Sequence, residues 1–529
     1  MQKVVGSSPI SRLNERPAPA GLSRCGRLVA GRLVGYPWLT VPAGDTARLY
    51  HRLTSYDSKR DLDVPVDDPR VLQDFEAEVL ERFPAHCKTY PAGLPVVDLP
   101  RSWPSEGGAA TAVLAGRHAA APATLTLEVL ARVLHLSAGV VRLAERKDGR
   151  RYRFRAAGSA GGQFPFELYV AGRDVAGLAD GVHWFDPLNH ALVQVAPAPE
   201  GEVTTLIVTG IPWRTGWRYR ERSFRHLYWD AGAMLANILC VSEDAGLAPG
   251  LRAVFPDGEV TALVGADAVH EFPLAIVTLG DGAPAIRPGG TAAGGEVDRR
   301  APVEFPLVTA VQHAGDGDRL GPPWPAGAPL ASRPPDSAGL DEVILRRIST
   351  RVMDPSRSVS RAAFEWSLTA ALRGSRVRHF IAVHAVEGRA PGLYKAPALD
   401  APVRAGDLRT ELFRISADQA LTRDASFVVI SAVDADRLDD RGYREAQLDA
   451  GLVSGRLQLA AFALGLGATG MTFIDSEIPA LLGEPLAGLL LTCVGVPTYR
   501  HRPGGPPGAP IKMRPLKDPG TGLGQAPVG

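Results

Sequence analysis

The chain has 529 residues, of which 45% are hydrophobic and 22% are charged, as is usual for a folded protein. Its 58 Lys and Arg residues and 57 Asp and Glu residues leave a net charge of +1. This balance argues against a dominant role in binding nucleic acid or an anionic membrane, because both need a net basic surface.

Composition divides the chain into segments. Residues 1–44 are predicted to form an N-terminal tail and lack the apolar core of a secretory signal. Residues 281–339 are rich in Gly, Pro and Ala and are predicted to be a linker, although the stretch 303–312 could pack on a domain. Residues 516–529 are predicted to be a C-terminal tail. The longest apolar run, 485–497, is too short to cross a bilayer and indicates a buried strand or helix.

The four cysteines lie far apart in the sequence, at Cys25, Cys87, Cys240 and Cys493. None forms a CxxC pair, so the sequence predicts neither a disulfide framework nor a zinc ribbon. The sequence contains no HExxH, Walker A or GxSxG motif, and its histidines are scattered, so we predict no metal site. We expect a cytoplasmic protein.

The parts of the chain on either side of the linker resemble each other. Segments 221–247 and 440–466 share identities at a constant offset of 219, and each carries apolar residues at helical spacing that stop at a glycine, as at a helix C-cap. An apolar strand follows each. The sequence therefore predicts a tandem duplication of one α+β unit, against the alternative of chance similarity between two amphipathic helices. The identical pairs are Arg222 and Arg441, Arg225 and Arg444, Asp230 and Asp449, Ala231 and Ala450, Gly232 and Gly451, Gly246 and Gly465, and Leu247 and Leu466.

Several segments combine residue types that suit a ligand. Residues 346–351 (RRISTR) place guanidinium groups and a hydroxyl near a helix end, which suits a phosphate, although a solvated basic face has the same pattern. Residues 158–170 put small residues before a strand, so that the backbone could approach a flat ligand; an ordinary turn is the alternative. Residues 465–470 formally fit GxGxxG, but they follow a helical pattern and not a strand, which argues against a dinucleotide fingerprint. They still form a Gly-rich turn that could approach a ring.

Two further segments are less specific. Residues 213–225 are dense in aromatic and Arg residues, which fits either nucleic-acid stacking or a salt-bridged helix start. Lys512 and Arg514 stand two positions apart, so in an extended segment both would point to the same side and could reach an anion.

Together these motifs resemble the nitroreductase-like flavoprotein family. The closer resemblance is to its azoline-dehydrogenase branch of the streptolysin S type, which acts in the biosynthesis of thiazole- and oxazole-containing peptides. The branch pattern Y-H-x-x-(S/T)-x-Y matches residues 50–56, S-x-G-x-x-x-P-x-E-x-Y-V matches 159–170, and the W-(K/R)-Y block that runs into Asp-Ala-Gly matches 217–232.

The resemblance implies a fold and a cofactor. We expect two tandem nitroreductase-like domains, each an antiparallel-type mixed sheet flanked by helices, that form an intramolecular pseudo-dimer. Domain 1 would span 45–280, with an azoline-dehydrogenase-type N-terminal extension, and the more divergent domain 2 would span 340–515. Family members are usually homodimers that bind FMN at the subunit interface, so FMN is expected between the two halves. A monomeric pseudo-dimer and a higher homo-oligomer both stay open.

The resemblance also assigns roles to individual residues. The phosphate block, the turn beside the flavin ring, the basic pair near the end and the Ser-Gly loop from the other half are expected to bind FMN. These residues are Arg347, Ser349 and Arg351; Gly467, Ala468 and Thr469; Lys512 and Arg514; and Ser159, Gly161 and Gly162. Each half keeps what the other has lost, because 116–120 replace the phosphate block and 374–379 replace the Ser-Gly loop. We therefore expect one functional FMN site and one degenerate site.

The expected reaction is oxidation of a thiazoline or oxazoline ring in a ribosomally made peptide to thiazole or oxazole. Arg218 and Tyr219 match a catalytic Lys-Tyr pair of the branch; because Arg stays protonated, Tyr219 is the expected proton acceptor. The expected partners are the azoline-containing precursor peptide and a cyclodehydratase of the same pathway. Two alternatives are an NAD(P)H-dependent nitro- or quinone-type reductase and a flavin-free scaffold of a peptide-modifying complex.

Overall fold

The computed structural model describes residues 43–58, 82–103, 107–145 and 151–513, and the backbone of two short strands nearer the N-terminus. Its helices are α1 (Asp45–Leu53), α2 (Ala110–Leu114), α3 (Leu127–Ala138), α4 (Pro212–Tyr219), α5 (Ser223–Asp244), α6 (Asp257–Val264), α7 (Pro306–Ala314), α8 (Leu340–Arg346), α9 (Arg361–Ala371), α10 (Arg409–Ile415), α11 (Ala420–Asp424), α12 (Asp440–Ala463) and α13 (Ile478–Leu482). Its strands are β1 (Leu28–Val29), β2 (Arg32–Leu33), β3 (Val96–Asp98), β4 (Val140–Glu145), β5 (Arg151–Arg155), β6 (Phe166–Gly172), β7 (Gly181–Asp186), β8 (Ala191–Ala196), β9 (Thr205–Gly210), β10 (Pro249–Arg252), β11 (Phe272–Leu279), β12 (Arg378–Val383), β13 (Gly392–Lys395), β14 (Arg404–Ala405), β15 (Phe427–Val433), β16 (Gly467–Met471), β17 (Ala487–Gly495) and β18 (Ile511–Met513). No helix in these described ranges is both long and apolar enough to span a membrane.

Two large antiparallel sheets give the chain its mixed α+β fold. The first half of the chain, up to residue 280, forms a sheet in the order β10-β11-β9-β6-β7-β8-β3. The second half, from residue 340, forms a sheet that reads β16-β17-β15-β12-β13-β14 in the same direction. From β10 to β8 and from β16 to β14 the order along the chain is the same, and every neighbouring pair is antiparallel. The described part of each half therefore repeats one strand topology.

The predicted apolar strands are confirmed. Strand β11 is buried along its whole length, and β17 is buried from its second residue onward. Both lie inside their sheets, with a neighbour on each side, which explains why their sequences are continuous apolar runs and do not alternate. The run 485–497 is thus a buried strand.

The two long helices are also confirmed. Helix α5 ends at Asp244 and α12 ends at Ala463, and the next glycines, Gly246 and Gly465, have φ values of 76° and 72°. This left-handed backbone is favoured by glycine and ends each helix as the sequence predicted.

The long helices cross at two glycines of the repeated Asp-Ala-Gly triplets. A Cβ atom on Gly232 would lie 2.5 Å from the backbone nitrogen of Leu452, and one on Gly451 would lie 2.5 Å from the carbonyl oxygen of Trp229. Neither position has room for a side chain. The Trp229 indole nitrogen donates to Gln447 Oε1 at 2.7 Å beside the crossing. The two halves therefore meet backbone to backbone.

Both ends of the described chain pack against the opposite half. The carboxylate of Asp440 accepts hydrogen bonds from the backbone nitrogens of Gly44 and Ala47, at 2.8 and 2.7 Å, and so caps α1. Strand β18 pairs in parallel with β4 of the first half. Each of the expected domain ranges, 45–280 and 340–515, thus contributes a segment that packs on the other.

Parts of the predicted linker pack against the halves. Its helix α7 buries Leu307, Val308 and Val311, and Trp324 and Leu330 are buried further along. Single apolar residues anchor this Gly- and Pro-rich segment, and its average composition conceals them.

A buried ionic cluster joins three distant parts of the chain. The carboxylate of Asp475 accepts hydrogen bonds from Arg222 at 2.7 Å, from Arg225 at 2.6 Å and from the backbone nitrogen of Tyr56 at 2.8 Å. Arg225 also donates to Thr54 Oγ1 at 3.1 Å. Burial alone would raise the pKa of Asp475, but Arg222 and Arg225 outweigh it and lower that pKa to about 2. The motifs at 50–56 and 217–232 thus meet in one structural cluster.

Replacing Asp475 with Asn should lower the free energy of unfolding by about 3 kcal/mol, because two buried guanidinium groups lose the carboxylate they share. Denaturant unfolding measures the change. Asp434→Asn is the control, since Asp434 pairs with the exposed Arg437 at 2.9 Å and its loss should cost less than about 1 kcal/mol.

The same carboxylate predicts a dependence on pH. A carboxyl group with a lowered pKa stabilises the fold only while it is ionised, so its contribution is lost as the pH falls from about 4 to about 2. The wild type should lose more stability than Asp475→Asn over this interval. Equal losses would show that Asp475 is not the titrating group.

Candidate functional site

The RRISTR segment leaves α8 at Arg346 and crosses to the first half. The guanidinium of Arg347 is buried and donates to the carbonyl oxygen of Ala156 at 2.7 and 3.2 Å and to Gln458 Oε1 at 3.1 Å. Ser349 is half-buried, and its hydroxyl has no hydrogen-bond partner in the described part of the chain. Arg351 is exposed. Arg347 therefore anchors the segment, and Ser349 and Arg351 are the groups available to a ligand.

Cations gather around this segment without acidic partners. Arg142 on β4 donates to the carbonyl oxygens of Leu345 and Arg347. Burial lowers the pKa of Arg142 to about 10, and burial together with Arg142 lowers the pKa of Arg347 to about 9. Burial by the surrounding protein also lowers the pKa of Arg351, and Arg218 adds to this effect.

Four guanidinium groups, those of Arg142, Arg218, Arg347 and Arg351, lie in this region. None of them forms an ion pair with a carboxylate among the residues that the structure describes. Buried or crowded cations without countercharge are costly, so an anion between them would be stabilised. We call Arg142, Arg218, Arg347 and Arg351 the arginine cluster.

Asp230, the aspartate of the first Asp-Ala-Gly triplet, holds the Ser-Gly loop through hydrogen bonds. Ser159 Oγ donates to Asp230 at 2.5 Å and accepts from the backbone nitrogen of Phe164 at 2.7 Å, while the backbone nitrogen of Ala160 donates to Asp230 at 3.0 Å. Burial raises the pKa of Asp230 to about 7, although Ser159 and Ala160 oppose the shift. Ser159 is therefore committed to the scaffold.

The second half repeats this arrangement. Asp449 accepts a hydrogen bond from Ser375 Oγ at 3.0 Å and one from the backbone nitrogen of Arg376 at 2.6 Å, and burial raises its pKa as well. Asp230 and Asp449 are paired by the sequence repeat, and both hold a serine loop against a long helix.

The glycines of the first loop face Tyr219. Gly161 and Gly162 have φ values of 62° and 68° and form a short 3₁₀ turn with Ala160. A Cβ atom on Gly161 would lie 3.3 Å from the Tyr219 hydroxyl and 3.6 Å from Nη1 of Arg218. The loop thus exposes backbone to the same space as the tyrosine.

Tyr219 is the last residue of α4, and its ring is fixed by stacking. It lies parallel to His226, with the ring centroids 4.0 Å apart and an angle of 14° between the planes. Burial, with Arg222 nearby, lowers the pKa of His226 to about 3, so the histidine stays neutral at physiological pH. Tyr219 as a whole is half-buried.

The predicted Gly-rich turn is wrong, because residues 467–471 form the edge strand β16. The carbonyl oxygen of Ala468 accepts from the backbone nitrogen of Thr350 at 3.1 Å, and a Cβ atom on Gly467 would overlap Thr350 Oγ1. Thr469 is buried. The three predicted residues are therefore joined to the RRISTR segment through Thr350.

The basic pair is only partly described. Lys512 lies on β18 and is exposed. The residue before it, Ile511, is paired with Arg142 on β4. Arg514 lies outside the described residues. The structure thus brings together predicted groups from both halves around the arginine cluster.

Sequence reasoning missed several residues of this region. Arg142 stands in an otherwise apolar buried strand, which is a signal that could have been read. The hydroxyl of Tyr499 accepts from the backbone nitrogen of Arg351 at 2.6 Å, and nothing in the pattern around Tyr499 indicates this contact. Gln458 was hidden among the polar residues of a long helix.

Two surface grooves lie away from the arginine cluster. One of about 600 Å³ is lined by Arg404, Glu411 and residues 480–484, and one of about 330 Å³ includes Lys88. Lys88 is already paired with Glu271 at 2.6 Å. Neither groove contains a predicted site residue, and Arg404 and Lys88 are paired with carboxylates.

Comparison with known proteins gives a consistent fold. No protein-family model matches the chain. A Methanocaldococcus jannaschii protein named as a nitroreductase is 27% identical over 171 residues, which are 30% of this chain and 81% of that protein. A solved Anabaena variabilis structure, also named as a nitroreductase, matches 85% of this chain and 99% of its own with a TM-score of 0.63 at 22% identity. The chain is therefore nitroreductase-like in fold, across both halves.

A third similarity is weaker. The Escherichia coli microcin synthetase McbBCD complex with truncated pro-MccB17 bound matches 30% of this chain and 64% of its own, with a TM-score of 0.24 at 21% identity. At this score the match carries no argument about the chain.

Replacing Asp230 with Asn should loosen the Ser-Gly loop, because one of the two oxygens that accept from the loop becomes an NH₂ group, which can only donate. We expect hydrogen exchange at Ala160 and Phe164 to quicken by about tenfold, as for the loss of one buried hydrogen bond. Asp449→Asn is the matched control, and it should quicken exchange at Arg376 and Val377 but not at Ala160. Equal effects of both variants at Ala160 would contradict the assignment.

Proposed function

We propose that the chain is an FMN-dependent oxidoreductase that converts thiazoline or oxazoline rings of a peptide to thiazole or oxazole. The observation that carries the FMN assignment is the arginine cluster, whose charge lacks a carboxylate partner in the described ranges, beside a glycine loop that exposes backbone. A flavin mononucleotide joins a phosphate dianion to a flat ring, and these two surfaces suit its two ends.

The phosphate end of FMN would be bound by several residues with different roles. Ser349 and Arg351 would hold the phosphate, with Arg142 and Arg347 behind them as fixed positive charge. Lys512 and Arg514 remain proposed contributors at the same end. When bound, FMN supplies two-electron redox chemistry, and the protein orients and tunes it.

The ring end of the site is built from backbone. Gly161 and Gly162 leave room for a close approach, and residues 467–469 border the RRISTR segment through Thr350. Ser159 contributes by holding the loop through Asp230.

Tyr219 is the group best placed to move a proton. Its ring is fixed by His226, and its hydroxyl faces the Gly161 backbone at the open side of the site. Arg218 stays charged, with its guanidinium carbon 5.7 Å from the Tyr219 ring centroid, so it can stabilise negative charge but cannot accept a proton. In its phenolate form, Tyr219 would take the proton lost from the azoline ring and become the neutral phenol, and Arg218 would stabilise the phenolate.

The peptide substrate is supported by the motifs at 50–56 and 217–232, which resemble the azoline-dehydrogenase branch. In the structure these motifs form the Asp475 cluster, and α4, which carries Tyr219, runs directly into it. An azoline-containing precursor peptide and a cyclodehydratase are accordingly the proposed partners. The names of the similar proteins favour a second candidate, an NAD(P)H-dependent reductase of nitro compounds or quinones.

We further propose that the chain is a tandem duplication folded as a pseudo-dimer. The repeated strand order supports this, and so do the matched contacts of Asp230 and Asp449. The site would then be built between two halves of one chain.

Replacing Arg351 with Ala should weaken FMN binding by about tenfold to hundredfold, the value of a charge-assisted hydrogen bond. Titration of FMN fluorescence measures the dissociation constant. Arg346→Ala is the control: Arg346 is also exposed, but it pairs with Glu342 at 2.7 Å on α8 and should leave binding unchanged. Equal affinities of the two variants would remove Arg351 from the site.

Replacing Tyr219 with Phe should keep the ring stack and the bound FMN but slow azoline oxidation by about hundredfold, the usual worth of a general base. The conversion of a synthetic azoline peptide is followed by mass spectrometry. Tyr394→Phe is the control, because its hydroxyl bonds to the Ala390 carbonyl oxygen in the second half. NAD(P)H consumption with a quinone, and no change in the peptide, would favour the reductase instead.

A further inference from the structure

The repeat defines a second position that corresponds to the proposed site. Its serine loop is formed by residues 374–377, held by Asp449, and residues 115–118 stand where the second half has its RRISTR segment. We call this place the counterpart position.

An extended segment of the chain, residues 322–331, lies across the counterpart position. The backbone nitrogen of Trp324 donates to the Leu251 carbonyl oxygen at 2.6 Å, and that of Leu330 donates to the Ala115 carbonyl oxygen at 2.9 Å. The side chains of Trp324 and Leu330 are buried in the main hydrophobic core, although most of their neighbours in the segment are exposed. The segment is thus fixed at two points.

Two glycines bring the segment against the serine loop. A Cβ atom on Gly374 would overlap the Pro325 carbonyl oxygen, and one on Gly327 would lie 2.5 Å from the backbone nitrogen of Gly374. Both residues have positive φ, 67° and 75°. No layer of atoms fits between loop and segment at this point.

The guanidinium groups of this position are occupied by the segment itself. Arg117 donates to the carbonyl oxygens of Leu330 and Ala331 at 3.0 and 2.9 Å, and Arg373 donates to that of Ala328 at 3.1 Å. The Arg376 guanidinium lies 4.1 Å from the Trp324 ring centroid, a cation–π contact. These groups bind the segment, whereas Arg142 and Arg347 of the arginine cluster bind carbonyl oxygens of other parts of the chain.

Acidic residues complete the contrast. Asp244 and Asp341 lie next to residues 107–108, just before α2. Both form ion pairs with Arg132, at 2.5 and 2.6 Å. His118 contacts Asp244 at 3.2 Å. Carboxylates therefore lie near this position, whereas none pairs with the arginine cluster in the described ranges.

We propose that the counterpart position is a groove for an extended polypeptide that residues 322–331 of the same chain fill, so that the chain binds cofactor at one position only. The occupant is held by backbone hydrogen bonds, two buried apolar anchors and arginines directed at its carbonyl oxygens. The statement about cofactor number rests on the proposed function, whereas the filling of the groove does not.

Hydrogen exchange with and without FMN tests the proposal. The amides of Trp324 and Leu330 should exchange at least about tenfold more slowly than those of the exposed Ala326 and Ala328, and saturating FMN should leave them unchanged while one FMN binds per chain. Two FMN per chain, or faster exchange in 322–331 on adding FMN, would overturn it. Exchange of Trp324 as fast as that of Ala326 would also do so.

Variants separate this proposal from the proposed function. Leu330→Ala should quicken exchange of the backbone amide at position 330 by about tenfold. The variant should still bind one FMN, because the substitution weakens only the anchor of the segment. Leu320→Ala is the control, since Leu320 is exposed just before the segment. Protected Trp324 and Leu330 amides in a protein that binds no FMN would contradict the proposed function and leave the filled groove standing.

Discussion

The structure depends on the contact between the two long helices at their glycines. Because Gly232 and Gly451 leave no room for side chains, the backbones of α5 and α12 touch and the two halves have a fixed orientation. Each helix then holds a serine loop through an aspartate one turn or less from the crossing. The loops therefore lie against segments of the opposite half, and the proposed site would lie between the halves.

Charge distinguishes the two positions that this geometry creates. At the proposed site Arg142 and Arg347 are buried beside each other, and their pKa values are lowered, which is the mark of cations without a counterion. At the counterpart position the arginines bind carbonyl oxygens of residues 322–331, and Arg132 is neutralised by Asp244 and Asp341. The difference lies in what surrounds the arginines, since both positions contain several.

The sequence was informative where a pattern is local. Periodicity predicted α5, α12, β11 and β17, and the left-handed glycines at their ends followed from capping rules. It failed where pairing decides, because residues 467–469 form a strand only through their hydrogen bonds to β17. It also failed where a side chain binds backbone: the contact of Arg347 with the Ala156 carbonyl oxygen leaves no trace in the sequence of either residue.

Because the two halves are parts of one chain, the two positions are encoded by different residues. In a homodimer with twofold symmetry a substitution appears in both sites, so a residue that closes one site closes the other. Two halves of one chain are free of this constraint. In the second half, Gly374 leaves space for the carbonyl oxygen of Pro325. The corresponding loop of the first half faces Tyr219 instead. We infer that a segment such as 322–331 can fill one position only because the second position is encoded by different residues.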